Sequence, residues 1–185
     1  TIVYTLSLHD ALPICYSTCD INECSCNYRE DKFSVITSAN IVNLEYFEEI
    51  GRFNDKLFID MVDYDYCLRI NIKKFKILYF PDVFVEHKLG EVHLRTNIFT
   101  RKKKYKTEHN AQRAYYICRN SLYLSKNYGK YFPKEFGMLH ILNIVFIHDV
   151  TKILLYEIDK RNKLKAKFIG LYHFLINRYG KYNLK

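Results

Sequence analysis

Between Phe58 and Arg69 the chain reads FIDMVDYDYCLR, and three aspartates, Asp60, Asp63 and Asp65, stand among residues that belong in a core. Phe58, Ile59, Met61, Val62, Tyr64, Tyr66, Cys67 and Leu68 all favour burial. Crowded carboxylates repel one another, and each is costly to bury unless something pairs with it. Any fold of this chain must therefore supply partners for these acids or bring them to a surface where acids do chemistry. From Asp63 the pattern is helical, and Asp65 and Arg69, four apart, are placed for an ion pair.

With 185 residues, 49% hydrophobic and 26% charged, the chain is long enough for one sizeable core. Its net charge of +9 is unevenly spread. Residues 1–87 hold 8 Lys/Arg against 14 Asp/Glu, a net −6, whereas residues 88–185 hold 21 against 6, a net +15. An acidic part suits cation binding or acid/base chemistry; a basic part suits phosphates, a membrane surface or nucleic acid, or is simply a solvated face. Of six cysteines, Cys15, Cys19, Cys24 and Cys26 cluster, but their spacing lacks the paired arms of a structural zinc site, and reduced thiols are the expectation. The longest charge-free apolar run, GMLHILNIVFI over 137–147, is about half the ~20 residues of a spanning helix, so no membrane span is expected.

Residues 1–14, TIVYTLSLHDALPI, resemble the translation of a sequencing-library adapter. They lack the basic start and long apolar centre of a signal peptide. They are set aside from the fold reasoning, and the natural protein is expected to begin further upstream.

FSVIT (33–37) reads as a strand, and Asn43 as the cap of a helix LEYFEEI closed by Gly51. KILYF (76–80) is a strand ended by Pro81, and VFVEHK (83–88) alternates. Residues 89–110, with the run RKKKYK, read as an exposed loop, and helical patterns follow at about 111–127, 133–158 and 162–179.

The stretch ITSANIVNLEYFEEIGRFNDKLFIDMVDYDYCLRINIKKFKILYFPDVFVEHKLGE resembles the second half of the catalytic domain of family 2 glycosyltransferases, in particular the bacterial rhamnosyltransferase-like group. QRAYYICRNSLYL (112–124) resembles that group's R-x-Y-Y-x-x-R-N helix, and FIGLYHFLINRYGKY its closing helix. The resemblance covers about 36–185. It implies an α/β chain, the C-terminal, acceptor-side half of a GT-A nucleotide-diphospho-sugar transferase fold followed by a helical tail. The divisions it implies are 1–14 as adapter, 15–100 as acceptor-side half and 101–185 as a basic helical region. The donor half, with a strand ending in D-x-D, would lie upstream.

On this resemblance Asp63 is the catalytic base that takes the acceptor hydroxyl's proton. Asp65 helps hold the acceptor or pairs with Arg69, and Asp60 lies at the edge of the segment as a cap. Without the resemblance, the acids fit the exposed N-terminus of a helix, where the dipole favours them. His87 matches the family histidine that ligates a divalent cation, Mg²⁺ or Mn²⁺, on the donor diphosphate. Its plain alternative is a strand-end histidine bonded to a carbonyl. Arg113, Tyr116, Arg119 and Asn120 share a helix with Tyr115; they line the acceptor end of the cleft, or pack. With Asp65 and Arg69 they form the implied acceptor-binding set.

The implied activity is inverting transfer of a sugar, rhamnose being the group's example, from a nucleotide-diphosphate donor to a polysaccharide or lipid-linked acceptor. The alternative is an inactive acceptor-side and membrane-surface module without a donor site. The apolar, basic C-terminal helices fit a cytoplasmic protein held at the inner face of the plasma membrane. Nucleic acid is not expected as a partner, since no recognised module accompanies RKKKYK.

Overall fold

A computed structural model describes residues 2–4, 29–31, 34, 41–79, 92–96, 100–101, 103–107 and 109–184. The cysteine cluster, the 83–88 alternation with His87, and all of the expected 33–37 strand except Ser34 lie outside the described residues. The chain divides into two compact units, Thr1–Asn54 with Val62–Lys88, and Asp55–Met61 with Leu89–Lys185.

The first unit contains β1 (Ile2–Tyr4), β2 (Arg29–Asp31), α1 (Leu44–Ile50), α2 (Val62–Ile72) and β3 (Lys76–Tyr79). β3 is central, parallel to β1 in the register Ile2 with Lys76 and antiparallel to β2 in the register Arg29 with Tyr79. β1 thus falls inside the adapter-like segment. Helix α1 starts where its sequence says it should: the Asn43 carboxamide oxygen accepts from the Glu45 amide at 2.9 Å. Gly51 closes it at φ 92°, a conformation that favours glycine. Ile50, Tyr66, Cys67, Ile70 and Ile77 form the core, with Val42, Tyr46, Phe47 and Phe75 against it.

The second unit contains β4 (Val92–Thr96), β5 (Lys103–Thr107), α3 (Ala111–Tyr128), α4 (Pro133–Phe136), α5 (Met138–Leu142), a π-helical segment (Asn143–His148), α6 (Asp149–Tyr156) and α7 (Lys160–Leu175). The helical C-terminal region is as expected. The loop expected over 89–110 is instead an antiparallel hairpin, with Leu94 in register with Tyr105 and Arg95 with Lys104. A run of lysines looks like loop on charge, yet ladder hydrogen bonds use only the backbone, and lysine is common on exposed strand edges.

The apolar helical stretch is longer than its charge-free run suggested. The helical path continues across Asp149 and Lys152, so Pro133–Tyr156 gives 24 residues of mean hydropathy 1.6, long and apolar enough to cross a membrane by length and composition. Counting only the charge-free run had made it too short.

Helices α3 and α7 make the core of this unit around Ala114, Tyr115, Tyr116 and Ala166. Their close approach centres on Gly170, where an added Cβ would come within 2.8 Å of the Tyr115 carbonyl oxygen.

Candidate functional site

In the first unit Asp65 is completely buried, and Arg69 answers it. The guanidinium meets the carboxylate at 2.9 Å, and Asn54 donates to the same group at 3.3 Å. Arg69 also donates to the Ile50, Gly51 and Arg52 carbonyls, which terminate α1. Its fork thus closes one helix with donors fixed by an acid on another, as its planar geometry allows. Asp63 sits in the first turn of α2, half-buried, with an oxygen accepting from the Tyr64 amide at 3.0 Å.

In the second unit the residues of the R-x-Y-Y-x-x-R-N pattern converge on residues 55–61. Phe58, Asp60 and Met61 have φ of 63°, 59° and 64°, a left-handed conformation that residues with a Cβ rarely adopt. Asn120, fully buried, holds them there: its amide nitrogen lies 3.0 Å from the Leu57 oxygen, 2.8 Å from that of Ile59 and 2.9 Å from that of Asp60. Arg119, also fully buried, donates to the Lys56 and Leu57 carbonyls at 3.0 and 3.1 Å, to Gly180 at 2.8 Å, to the Tyr115 hydroxyl at 3.1 Å and to Asn120 Oδ1 at 3.0 Å. The Tyr115, Tyr116 and Tyr179 rings surround its charge at 5.0 to 5.7 Å. The Tyr116 hydroxyl donates to the Tyr182 carbonyl and accepts from the Tyr182 amide, while its ring faces Phe58 at 5.5 Å. Tyr116, Arg119 and Asn120 therefore direct their polar atoms to the chain's own backbone and, for Arg119, to the Tyr115 hydroxyl and Asn120 Oδ1 as well. Arg113 differs, being partly exposed; its Nε lies 3.1 and 3.2 Å from the two oxygens of Asp60, an interaction that raises the guanidinium pKa further.

A second cluster escaped the sequence reading. A cavity of about 230 Å³ is lined by Met61, His109, Ser121, Asp149, Lys152, Glu157 and Lys167 together with aliphatic side chains. Lys167 bonds Asp149 at 3.0 Å and the Val145 carbonyl at 2.9 Å; Glu157 is shared by Lys152 at 3.2 Å and Lys163 at 3.0 Å. Burial, then Arg113 and Lys152, hold the His109 imidazole below its ordinary pKa. The signal available in the sequence was the spacing of Lys163 and Lys167, four apart on one face of α7, with Asp149 breaking an otherwise apolar run before them. Cys118 is a structural thiol: burial pushes its pKa up to about 12, and it donates to the Lys167 carbonyl.

Among the described residues no group of three or more His, Cys, Asp or Glu side chains could hold a metal ion. Asp60 and Asp65, each engaged by an arginine, do not fit as ligands for a divalent cation. His87 lies outside the described residues.

The chain is 30% identical over 156 residues to the dTDP-rhamnosyl transferase RfbF of Shigella flexneri, an alignment covering 80% of this chain and 48% of that protein. The chain thus spans about half the length of the curated relative it matches. No family model matches the chain, and no solved structure matches it.

Proposed function

We propose that this chain is the acceptor-side part of a glycosyltransferase that moves a sugar, rhamnose by similarity, from a nucleotide-diphosphate donor to a polysaccharide or lipid-linked acceptor. Its similarity to a dTDP-rhamnosyl transferase over most of its length supports the reaction class. The observation that carries the site assignment concerns the three aspartates. Asp63 sits half-exposed in the first turn of α2, at the position the resemblance assigns to the base, and Asp60 and Asp65 on either side of it accept from Arg113 and Arg69. A carboxylate at such a place can accept the proton of an attacking hydroxyl. The hydroxyl oxygen then attacks the anomeric carbon as the bond to the donor phosphate breaks, inverting the configuration; the nucleotide diphosphate leaves with the bonding electrons. The fold in this reading is of the GT-A type.

Tyr116, Arg119 and Asn120 act in this reading as positioning residues: Arg119 and Asn120 hold the backbone of residues 56–60, and Tyr116 holds that of Tyr182. Arg113, with its exposed edge, is the member of that helix assigned to the acceptor. A divalent cation, Mg²⁺ or Mn²⁺, belongs to the proposal through His87 alone, and no step is routed through it. The protein works at the cytoplasmic side of the membrane in this reading.

The test uses the full-length parent. Asp63→Asn should abolish sugar transfer while calorimetry still detects binding of dTDP-rhamnose in the presence of Mn²⁺. Retained turnover rejects Asp63 as base. In the wild-type parent, absence of transfer from any nucleotide sugar rejects the reaction class.

A further inference from the structure

Between Glu135 and Glu157 the sequence holds two formal charges, Asp149 and Lys152. In a water-facing helix they would point outward. Here both turn toward the interior of their own unit, Asp149 onto Lys167 and Lys152 onto Glu157. The outward side is left to Leu139 and Ile147, which are 85% and 64% exposed, with Ile144 and Leu154 also exposed. Only uncharged side chains and histidine stand among them: His140, Asn143, His148 and Thr151. Only 17% of the most apolar window of Pro133–Tyr156 is buried. The helix is therefore amphipathic in the reverse sense for water, with charges inside and aliphatic groups outside. Exposed cations mark both ends, Lys130 and Lys134 before it and Arg161 and Lys165 after it.

We infer that this face, α5 through α6 with the π-helical segment between them, lies in the surface of an anionic lipid bilayer, parallel to its plane. Apolar side chains enter the acyl boundary while flanking cations meet lipid phosphates, which suits the net +15 of residues 88–185. The same residues that pass a length-and-composition test for a span argue against spanning. Lys167 holds both Asp149 and the Val145 carbonyl from α7, and Ile141, Val145 and Ile153 are buried. Crossing the bilayer would strip these residues of that packing and leave buried charges without partners, a severe penalty. The inference deepens the membrane location proposed above but depends only on side-chain orientation, so it needs neither donor nor acceptor to be tested.

The chain contains no tryptophan, so Ile147→Trp introduces a single reporter. Vesicles of mixed phosphatidylcholine and phosphatidylglycerol should shift its emission to shorter wavelength, and phosphatidylcholine alone should do so more weakly. Leu44→Trp, exposed in the first unit, should show no shift. Ile147→Lys should lower vesicle partitioning by about tenfold or more, with an unchanged circular dichroism spectrum. Should that variant misfold, Ile147→Ser supplies the same comparison with a smaller loss. Alkaline carbonate should release the bound wild-type protein. Unchanged emission from the Ile147→Trp protein at saturating vesicles overturns the inference. So does a short-wavelength emission that appears without lipid and grows with protein concentration, which would mean a second copy covers the face. Carbonate-resistant retention overturns the in-plane orientation.

Discussion

Replacing Arg119 with lysine should be at least as damaging as replacing it with methionine, although lysine keeps the charge. Arg119 makes five hydrogen bonds from a planar fork, to acceptors on residues 56, 57, 115, 120 and 180. A lysine ammonium has three donors on one nitrogen, so at least two acceptors lose their partner. Hydrogen bonds to a charged donor contribute about 1.5–3 kcal/mol each, so Arg119→Lys should cost about 3 kcal/mol or more. Its ammonium would also remain buried beside rings that match a guanidinium better. Arg119→Met leaves all five acceptors without that donor but removes the buried charge, which offsets part of the loss. The assay is urea unfolding of both variants, followed by circular dichroism, with hydrogen exchange at the Ile59 amide. That amide donates to the Leu57 carbonyl at 2.8 Å inside the clamped segment, and its protection should fall in both variants. A lysine variant within about 0.5 kcal/mol of wild type, with Ile59 still protected, would refute the idea that fork geometry organises residues 55–61.

Gly170→Ala should destabilise the second unit by about 1–3 kcal/mol in a urea titration, because the new methyl meets the Tyr115 carbonyl and the backbone cannot move aside cheaply. Asp65→Asn should lower the urea midpoint markedly, since it leaves Arg69 without its buried charge partner; breaking such pairs costs about 3–5 kcal/mol. His109 gives a pH dependence whose sign is fixed. Its folded pKa lies below its ordinary value, so as pH falls through that value the unfolded chain takes up the proton first and stability drops, levelling off below the folded pKa. His109→Gln should flatten the part of the stability-against-pH curve from about pH 7 downward, and an unaltered slope would assign that dependence elsewhere, His173 being the next group shifted the same way.

What was legible in the sequence was local. Asn43 and Gly51 bound α1 through caps that act within four residues, and the Asp65–Arg69 spacing forecast a pair one helical turn apart. The long helices showed through apolar periodicity. The hairpin at 92–107 was hidden because its residues carry charge while its stabilising bonds are backbone ones. The left-handed backbone at Phe58, Asp60 and Met61 was hidden for another reason: none is glycine, so nothing local announces it. It is held from more than fifty residues later, by Asn120 and Arg119 on its backbone and by Arg113 on Asp60, and helix periodicity gives no hint of what such side chains bind. The inward direction of Asp149 and Lys152 was hidden because it depends on Lys167 and on Glu157 with Lys163, which lie on or next to α7.

The partners of Asn120 stand 60 to 63 positions before it in the chain. On the ribosome, then, residues 55–61 emerge long before the side chains that justify their conformation. Until α3 has been synthesised, that segment has no reason to leave ordinary dihedral angles, and α2 must form with its upstream connection still unset. A nascent chain stalled anywhere between these points would carry residues 55–61 without the side chains that hold them. The segment leading into Asp63 is consequently finished late, by residues far downstream, and its correct geometry certifies that the C-terminal helices are already in place.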